Sequence, residues 1–247
     1  MQIGSEKRLI VAIYNGSIPG PLFIENLIKS VCEYDIDIYL FGKKSVKKKY
    51  FQKNISTFNT PNHKVLRILF IFYQGLILVI KSPSRLFALI QYFRTLSFSD
   101  SGGLINWWSR VLPVINNLPD IFHIQWAKAL PFWFFLKKDF GVKIILSLRG
   151  SHINYSPIDN NELAKNYKRL FPKVDSFHAV SSNLAKEAQK YGLIKQKTKI
   201  ILSGVDLKDI NCHTKKDWAI EFSCRFISVG RHHWIKSYQY ALYALEK

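Results

Sequence analysis

The sequence predicts an α/β protein built on a parallel sheet. Short runs rich in branched apolar residues, typical of buried parallel strands, recur along the chain. They alternate with segments whose apolar residues repeat at helical spacing, and most of them end in glycine or in polar turns. Strands that alternate with helices in this way favour a Rossmann-like, doubly wound sheet.

The first repeat of this pattern is a βαβ opening. Residues 9–14 predict a strand, residues 15–21 a turn, residues 23–31 a helix and residues 36–41 a second strand. No G-x-G-x-x-G motif follows the first strand, so this opening does not predict a dinucleotide site. Ligands of such sheets bind beyond the carboxyl ends of the strands, which places residues 15–20 at a candidate cleft.

A basic region follows the opening. Residues 43–53 hold six lysines and no acid, which fits either a solvated segment or one that contacts anionic lipid. Residues 66–96 predict two helices divided at residues 82–84. Their large apolar side chains alternate with cations, which suits a hairpin packed on the sheet and also an interfacial helix lying on a membrane. Residues 97–106 predict a loop.

The alternation of strands and helices continues beyond this loop. Strands are predicted over residues 120–125, 142–148, 176–180 and 199–202, and helices over residues 132–140, 162–171 and 183–191. Gly141 and Gly192 are expected to end two of these helices, and Ser181 or Ser182 to cap the last one.

Residues 225–247 predict a junction suited to an anion. A strand over residues 226–229 stops at Gly230, two cations, Arg231 and Lys236, follow, and a helix starts at Tyr238. The first N–H groups of a helix are unpaired and the dipole is positive there, which favours an anion. Arginine offers phosphate a bidentate fork and lysine a mobile charge. An ordinary solvated loop fits the same spacing.

Composition narrows the class of protein. The chain has 247 residues and is 48% hydrophobic, which excludes a disordered chain. Its formal charge of +19 predicts an anionic partner: nucleic acid, a phosphorylated small molecule or an acidic membrane.

The three cysteines, Cys32, Cys212 and Cys224, indicate reduced thiols in the cytoplasm. No apolar run reaches the roughly 18 residues that a spanning helix needs.

Metal and nucleic-acid binding are not predicted. The histidines and cysteines at positions 212–213 and 232–233 are adjacent pairs, which do not converge on one ion. No OB or RRM pattern surrounds the tryptophans, so these are expected in the core or in the wall of an acceptor pocket; they are Trp107, Trp108, Trp126 and Trp133.

Four segments match one family in order. IYNGSIPGPLFIENLIKSV (residues 13–31) resembles its glycine/proline loop and first helix, and VDSFHAVSSNLAKEAQKYG (174–192) its strand, V-S turn and helix. KIILSGVDLKDI (199–210) resembles its N-G-V-D turn, and FISVGRHHWIKSYQYALYAL (226–245) its V-G-R…K-G segment. On these segments the chain resembles the retaining glycosyltransferases of family 4, which have the GT-B fold of two facing Rossmann-like domains.

The resemblance implies roles for several residues. Arg231 and Lys236, beside Gly230, would hold the diphosphate of a nucleotide-sugar, which is the donor substrate, without a metal or another cofactor. Gly16 and Gly20 would face the cleft, and Arg149 and His152 would line the acceptor side. Members often have H-G-x-D where this chain has R-G-S-H, and Gly where it has Ser237.

The implied organisation is a Rossmann-like acceptor-side domain over residues 1–217 and the start of a nucleotide-sugar-binding domain over residues 218–247. The implied activity is retaining sugar transfer to a glycan or lipid-linked acceptor, for cell-surface polysaccharide or lipopolysaccharide assembly, at the cytoplasmic face of an anionic membrane. The sequence ends before the family's paired glutamates, so impaired activity is expected. The alternative is a non-catalytic fragment that binds a membrane or a partner.

Overall fold

The computed structural model describes residues 8–45, 49–97, 101–204, 226–230 and 232–246. Contacts divide the chain into two compact units, Met1–Val205 and Asp206–Lys247. The predicted domain boundary at residue 217, together with Arg231, Cys212 and Cys224, lies outside the described residues.

The first unit is organised around a parallel sheet of seven strands, which confirms the predicted α/β class. The order across the sheet is β3-β2-β1-β4-β5-β6-β7, so β1 is an interior strand and the chain builds outward from it first to one side and then to the other. The strands are β1 Leu9–Ile18, β2 Ile36–Lys44, β3 Ile55–Thr60, β4 Ile121–Ile124, β5 Lys143–Leu148, β6 Ser176–Ala179 and β7 Thr198–Ile200.

Two strands differ from the sequence prediction. β3 has no predicted counterpart, because four of the six residues of this edge strand (ISTFNT) are polar and it lacks the apolar run of a buried strand. β1 extends through residues 15–18, where composition predicted a turn. It does so through a bulge, because its register against β2 shifts between Tyr14 and Gly16, and Gly16 has φ of 87°.

Ten helices surround the sheet in the described part of the first unit. They are α1 Leu22–Val31, α2 Lys64–Lys81, α3 Pro83–Phe93, α4 Ser101–Asn116, α5 Leu130–Trp133, α6 Phe135–Phe140, α7 Gly150–Asn154, α8 Ser156–Asp159, α9 Asn161–Leu170 and α10 Ser182–Ala188. None of the helices in the described ranges is long and apolar enough to cross a membrane.

Several predicted helix boundaries are confirmed. The predicted pair of helices over residues 66–96 forms α2 and α3, divided at Ser82. Ser181 caps α10, since its hydroxyl accepts a 3.2 Å hydrogen bond from the N–H of Leu184. Gly141 and Gly192 adopt left-handed φ of 70° and 86° where α6 and the turn after α10 end.

The predicted loop over residues 97–106 is wrong in its second half, because α4 already starts at Ser101. The pair Gly102-Gly103 gives this segment a low intrinsic helix propensity. Tertiary packing overrides that preference: Trp107, Val111 and Ile115 of α4 are buried in the largest apolar cluster.

Two apolar layers cover the sheet. The larger one contains buried residues of α4 together with Tyr14, Phe122 and Leu146 of the sheet, and it also takes in Trp107 and Trp133, which were expected in the core or in the wall of an acceptor pocket. The smaller one packs α1 against β1 and β2 on the other face, through Ile24, Ile28, Ile13, Ile38 and Leu40. Over β4 to β6 this second face is polar.

The second unit is described only over residues 226–230 and 232–246. Residues 226–229 do not form the predicted strand. They are strongly exposed, and the described part of this unit offers no neighbouring strand to receive their hydrogen bonds. A 3₁₀ turn over Trp234–Lys236 and the helix α11, Tyr238–Glu246, follow, and α11 agrees with the predicted helix.

Candidate functional site

The candidate site of the first unit lies at the carboxyl edge of the sheet, between β1, β4 and β5. Strand order reverses between β1 and β4, which is where open α/β sheets form a crevice. Trp126, just after β4, donates a 2.6 Å hydrogen bond from Nε1 to Asn15 Oδ1 on β1. Asn15 Nδ2 in turn donates to Ser17 Oγ at 3.0 Å. These bonds fix the loop that leads to Gly20 and α1.

Arg149, which follows β5 directly, extends into this crevice. Its guanidinium carbon lies 4.3 Å from the ring centroid of Phe23 and 5.8 Å from that of Trp126. Its Nη2 donates a 2.9 Å hydrogen bond to the side-chain oxygen of Gln125. No carboxylate among the described residues forms an ion pair with it. Burial lowers the pKa of Arg149 to about 10, so it remains a cation at neutral pH.

His152 lies one turn further on, in α7. Its ring centroid is 5.2 Å from that of Trp126. Burial, and then the charge of Lys128, lower its pKa to about 4, so the imidazole is neutral at pH 7. The fully buried Tyr167 donates a 3.2 Å hydrogen bond to the carbonyl of His152 and so holds α7 in place.

Three buried polar atoms in this crevice have no hydrogen-bond partner among the described residues. They are Gln125 Nε2, Arg149 Nε and His152 Nδ1. Buried polar atoms in folded proteins are nearly always paired, and a group left unpaired costs about 1–3 kcal/mol. Their concentration beside one cation therefore indicates a position built for a polar ligand. The prediction from the sequence named Arg149 and His152 but not Gln125.

A file of hydrogen-bonded side chains runs across β4, β5 and β6 beneath this crevice. His123 Nε2 lies 2.9 Å from Ser147 Oγ, Ser147 Oγ lies 3.0 Å from His178 Nδ1, and His178 Nε2 lies 3.1 Å from the carbonyl oxygen of Ile201. A carbonyl only accepts, so His178 donates from Nε2 and accepts at Nδ1. Ser147 then donates to His178, and His123 donates to Ser147.

The polar file was not predicted from the sequence. Its members occupy alternate positions of otherwise apolar strands, on the same face as Gln125 and Arg149. This alternation of polar and apolar residues is the sequence pattern that could have revealed the polar file. Burial lowers the pKa of His123 to about 3 and also lowers that of His178, so both imidazoles are neutral at pH 7. The polar file supports Gln125 and Arg149, the two residues directly after β4 and β5 that contact the crevice.

Gly16 and Gly20 occupy different surroundings. Gly16 lines a cavity of about 240 Å³ at the carboxyl ends of β1 to β3, with Arg110 and Lys43 among its walls. The N–H of Gly20 donates a 2.7 Å hydrogen bond to Glu25 Oε1, so it is engaged within the protein. Gly20 therefore shapes the loop beside Asn15, whereas Gly16 borders open space.

Part of the predicted donor site is described in the second unit. A β-carbon added to Gly230 would meet the hydroxyl oxygen of Tyr238, the far end of a side chain that would have to move, and would lie 3.7 Å from Cδ of Lys236. Lys236 ends the 3₁₀ turn and is exposed. Ser237 has φ of 54°, the left-handed conformation that favours the glycine the resembled family has there.

The described residues contain no group of three potential metal ligands of the His, Cys, Asp or Glu type. The sequence Asp35-Ile36-Asp37 has D-x-D spacing, but it lies at the amino end of β2, on the opposite edge of the sheet from the crevice. There Arg8 Nε pairs with Asp35 at 2.8 Å. These two aspartates thus have a structural partner away from the candidate site.

A comparison with solved structures found partial similarities at low sequence identity. Two solved structures to which this chain is similar are those of Anabaena Alr3699/HepE in complex with UDP and glucose (12% identity, TM-score 0.44, 81% of this chain and 46% of that chain) and of OtsA in its apo form (17% identity, TM-score 0.43, 82% and 51%). The chain spans about half the length of these proteins. No relative was found among curated proteins.

A sequence model of one protein family covers most of the first unit. The model of glycosyltransferase family 4 matches residues 58–209, which include the end of β3, all of β4 to β7, Arg149, His152 and the whole polar file. Since this match extends over more than half of the residues, the chain belongs to glycosyltransferase family 4.

Proposed function

We propose that this protein transfers a sugar, with retention of anomeric configuration, from a nucleotide-sugar to a glycan or lipid-linked acceptor. The observation that carries the proposal is the crevice at Arg149, where three buried polar atoms are unpaired in a chain of this family. Such atoms are suited to the hydroxyl groups of a sugar acceptor, which donate and accept hydrogen bonds. The biological setting we propose is cell-surface polysaccharide or lipopolysaccharide assembly at the cytoplasmic face of a membrane.

Arg149 also favours an acceptor that carries negative charge. It is a half-buried cation with a neutral amide and two aromatic rings as its described partners. A partly buried charge is stabilised best by an opposite charge with good hydrogen-bond geometry, and a guanidinium binds phosphate or carboxylate through two parallel bonds. An acceptor with a phosphate group would bring that charge, while Gln125 Nε2 and His152 would bind its hydroxyls.

The donor side of the proposal rests on the second unit. Lys236 and Arg231, beside Gly230, would bind the diphosphate of the nucleotide-sugar. Charge accumulates on that diphosphate as the glycosidic bond breaks, and cations held in place beforehand stabilise it in the transition state. In this proposal no metal ion or other cofactor takes part. Because HepE was solved with UDP and glucose, UDP-glucose is the first donor to test.

The proposal can be tested by measuring UDP release from UDP-glucose with two acceptors. One is a polyprenyl diphosphate-linked monosaccharide, and the other is the uncharged octyl glycoside of the same sugar. We expect Arg149→Ala to lower turnover with the charged acceptor by about tenfold or more, as the loss of one charged hydrogen-bonding partner implies, and to affect the uncharged acceptor less. Arg169→Ala, which removes an exposed arginine of α9, is the matched control.

The outcome that contradicts the acceptor assignment is equal turnover by the wild type and Arg149→Ala with both acceptors. Calorimetric titration with UDP-glucose separates this failure from a different one. A chain that gives neither heat of binding nor UDP release is the non-catalytic alternative, a fragment that binds a membrane or a partner.

A further inference from the structure

We propose that the outward face of α2 is a membrane-binding surface that lies on anionic lipid. Six large apolar side chains form this surface, each between 60% and 73% exposed. Their spacing of three, four or one residues keeps them on one side of the helix. We call them the apolar stripe: Val65, Leu69, Phe72, Tyr73, Leu76 and Ile80.

The opposite side of α2 is fixed to the protein core. Leu78 is fully buried in the main apolar cluster. Asn116 of α4 donates from Nδ2 to the backbone oxygen of Gln74 at 2.9 Å and to its side-chain oxygen at 2.7 Å. The helix is therefore held in one orientation, and the apolar stripe is its permanent outer face. Residues 66–96 thus form a packed hairpin whose outer side remains available to a partner.

The apolar stripe is large enough to indicate an interaction surface. Single exposed apolar residues are common on soluble proteins, but contiguous patches of large ones mark interaction surfaces. The eighteen residues of α2 extend over about 27 Å at 1.5 Å per residue. That length, with Phe72 and Tyr73 near its middle, suits a helix that lies in the plane of a bilayer with one side among the acyl chains.

The positive charge of the residues around α2 favours anionic lipid as the partner. Residues 38–99 contain eleven Lys or Arg residues and no Asp or Glu, so this quarter of the sequence carries more than half of the net charge of +19. Lys64 and Lys81, both exposed, lie at the two ends of α2. Cations that flank an apolar face bind the headgroups of anionic lipids, while the apolar side chains enter the bilayer.

A second copy of the chain fits this surface less well. Two apolar stripes in contact would bring two acid-free, strongly basic segments together, and like charges oppose such a contact. An anionic bilayer offers an apolar interior and negative headgroups together. This inference does not depend on the proposed sugar transfer, since it rests only on α2 and its neighbouring charges.

The test is co-sedimentation of the protein, without any sugar donor, with two kinds of vesicle: phosphatidylcholine alone and phosphatidylcholine mixed with phosphatidylglycerol. We expect binding to the anionic vesicles that is at least about tenfold stronger than to the neutral ones, given several basic residues near the surface. The double variant Phe72→Glu/Leu76→Glu should lose binding to both. Ile158→Glu, at a 68% exposed apolar side chain of α8, should bind like the wild type.

One further double variant separates the contribution of charge from that of the apolar stripe. Lys64→Gln/Lys81→Gln should weaken binding to anionic vesicles only, and added salt should reduce its difference from the wild type. The two glutamate substitutions are at exposed positions, and circular dichroism checks that each variant is folded. Equal sedimentation of the wild type and Phe72→Glu/Leu76→Glu overturns the proposal. So does light scattering that finds a wild-type dimer which the double variant dissociates, because the partner is then a second copy.

Discussion

A hydrogen bond between Trp126 and Asn15, two residues 111 positions apart in the chain, joins the ends of the neighbouring strands β4 and β1. The bond from Trp126 Nε1 to Asn15 Oδ1 measures 2.6 Å. It crosses the position where strand order reverses, and the same indole ring packs against His152 and lies near Arg149. One side chain therefore connects the end of β1 with the two predicted acceptor-side residues.

The energetic coupling between Trp126 and Asn15 can be measured with a double-mutant cycle. Trp126→Phe keeps most of the ring but removes the N–H donor, and Asn15→Ala removes the acceptor. We expect each single variant to lower the free energy of unfolding, and the pair to show a coupling of about 1 kcal/mol, typical of one hydrogen bond. Urea denaturation provides the values. Strictly additive effects would mean that this bond contributes nothing to stability.

A second prediction concerns pH and His123. Burial holds the pKa of this imidazole at about 3, whereas in the unfolded chain it takes up a proton near pH 6.5. The unfolded state thus binds more protons between these values. The free energy of unfolding should fall as pH is lowered through this window, by at most about 1.4 kcal/mol per pH unit for one group.

Urea midpoints at pH 7 and pH 5 test this expectation. His123→Gln can still donate to Ser147 but does not titrate, so its stability should change less between the two values. His63→Gln, which removes an exposed histidine before α2, is the control variant. A slope unchanged in His123→Gln would contradict the assignment, and the remaining slope should come in part from the half-buried His178.

The contact between β1 and β2 gives a third prediction. A β-carbon on Gly42 would lie 2.8 Å from the carbonyl carbon of Gly16, closer than real contacts allow. Gly42→Ala should therefore lower the free energy of unfolding by about 2 kcal/mol or more, as overpacking does. Gly75→Ala is the matched control: nothing lies within 4 Å of its β-carbon, so it should stabilise α2 by up to about 1 kcal/mol.

The fourth prediction concerns Ser237, whose φ of 54° is costly for any residue with a β-carbon. Ser237→Gly should remove that cost and stabilise the start of α11 by about 1 kcal/mol. Ser237→Val should have the opposite effect, because a branched side chain avoids this conformation. Hydrogen exchange of the α11 amides measures both changes. Slower exchange in the valine variant than in the wild type would refute the assigned conformation.

The sequence predicted the architecture because local patterns carry most of that information. Branched apolar runs identified β1, β2 and β4 to β7, and Gly141, Gly192 and Ser181 marked helix ends through their own backbone chemistry. The failures occurred where tertiary contacts decide. The edge strand β3 is stabilised by pairing with β2, and the start of α4 by burial of Trp107, so neither has a local signal strong enough to be found.

The candidate site was predicted only in part, for a related reason. Arg149 and His152 follow a recognisable strand, so their position at the carboxyl edge could be derived. Trp126 was expected only in the core or in the wall of an acceptor pocket. The involvement of Gln125, and the bond from Trp126 to Asn15, depend on β4 lying next to both β1 and β5, and a single sequence does not specify that adjacency. The role expected for Arg231 stays a prediction, since it lies outside the described residues.

The polar file also selects one alignment of the middle strands. Its two bonds between side chains each join one strand to the next, on the same face of the sheet. A slip of β4 or β6 by one residue would turn His123 or His178 into the apolar layer and bring Phe122 or Phe177 to face Ser147. A sheet with either strand out of register would thus bury unpaired polar groups. The native register also fixes the position at which Arg149, two residues beyond Ser147, enters the crevice.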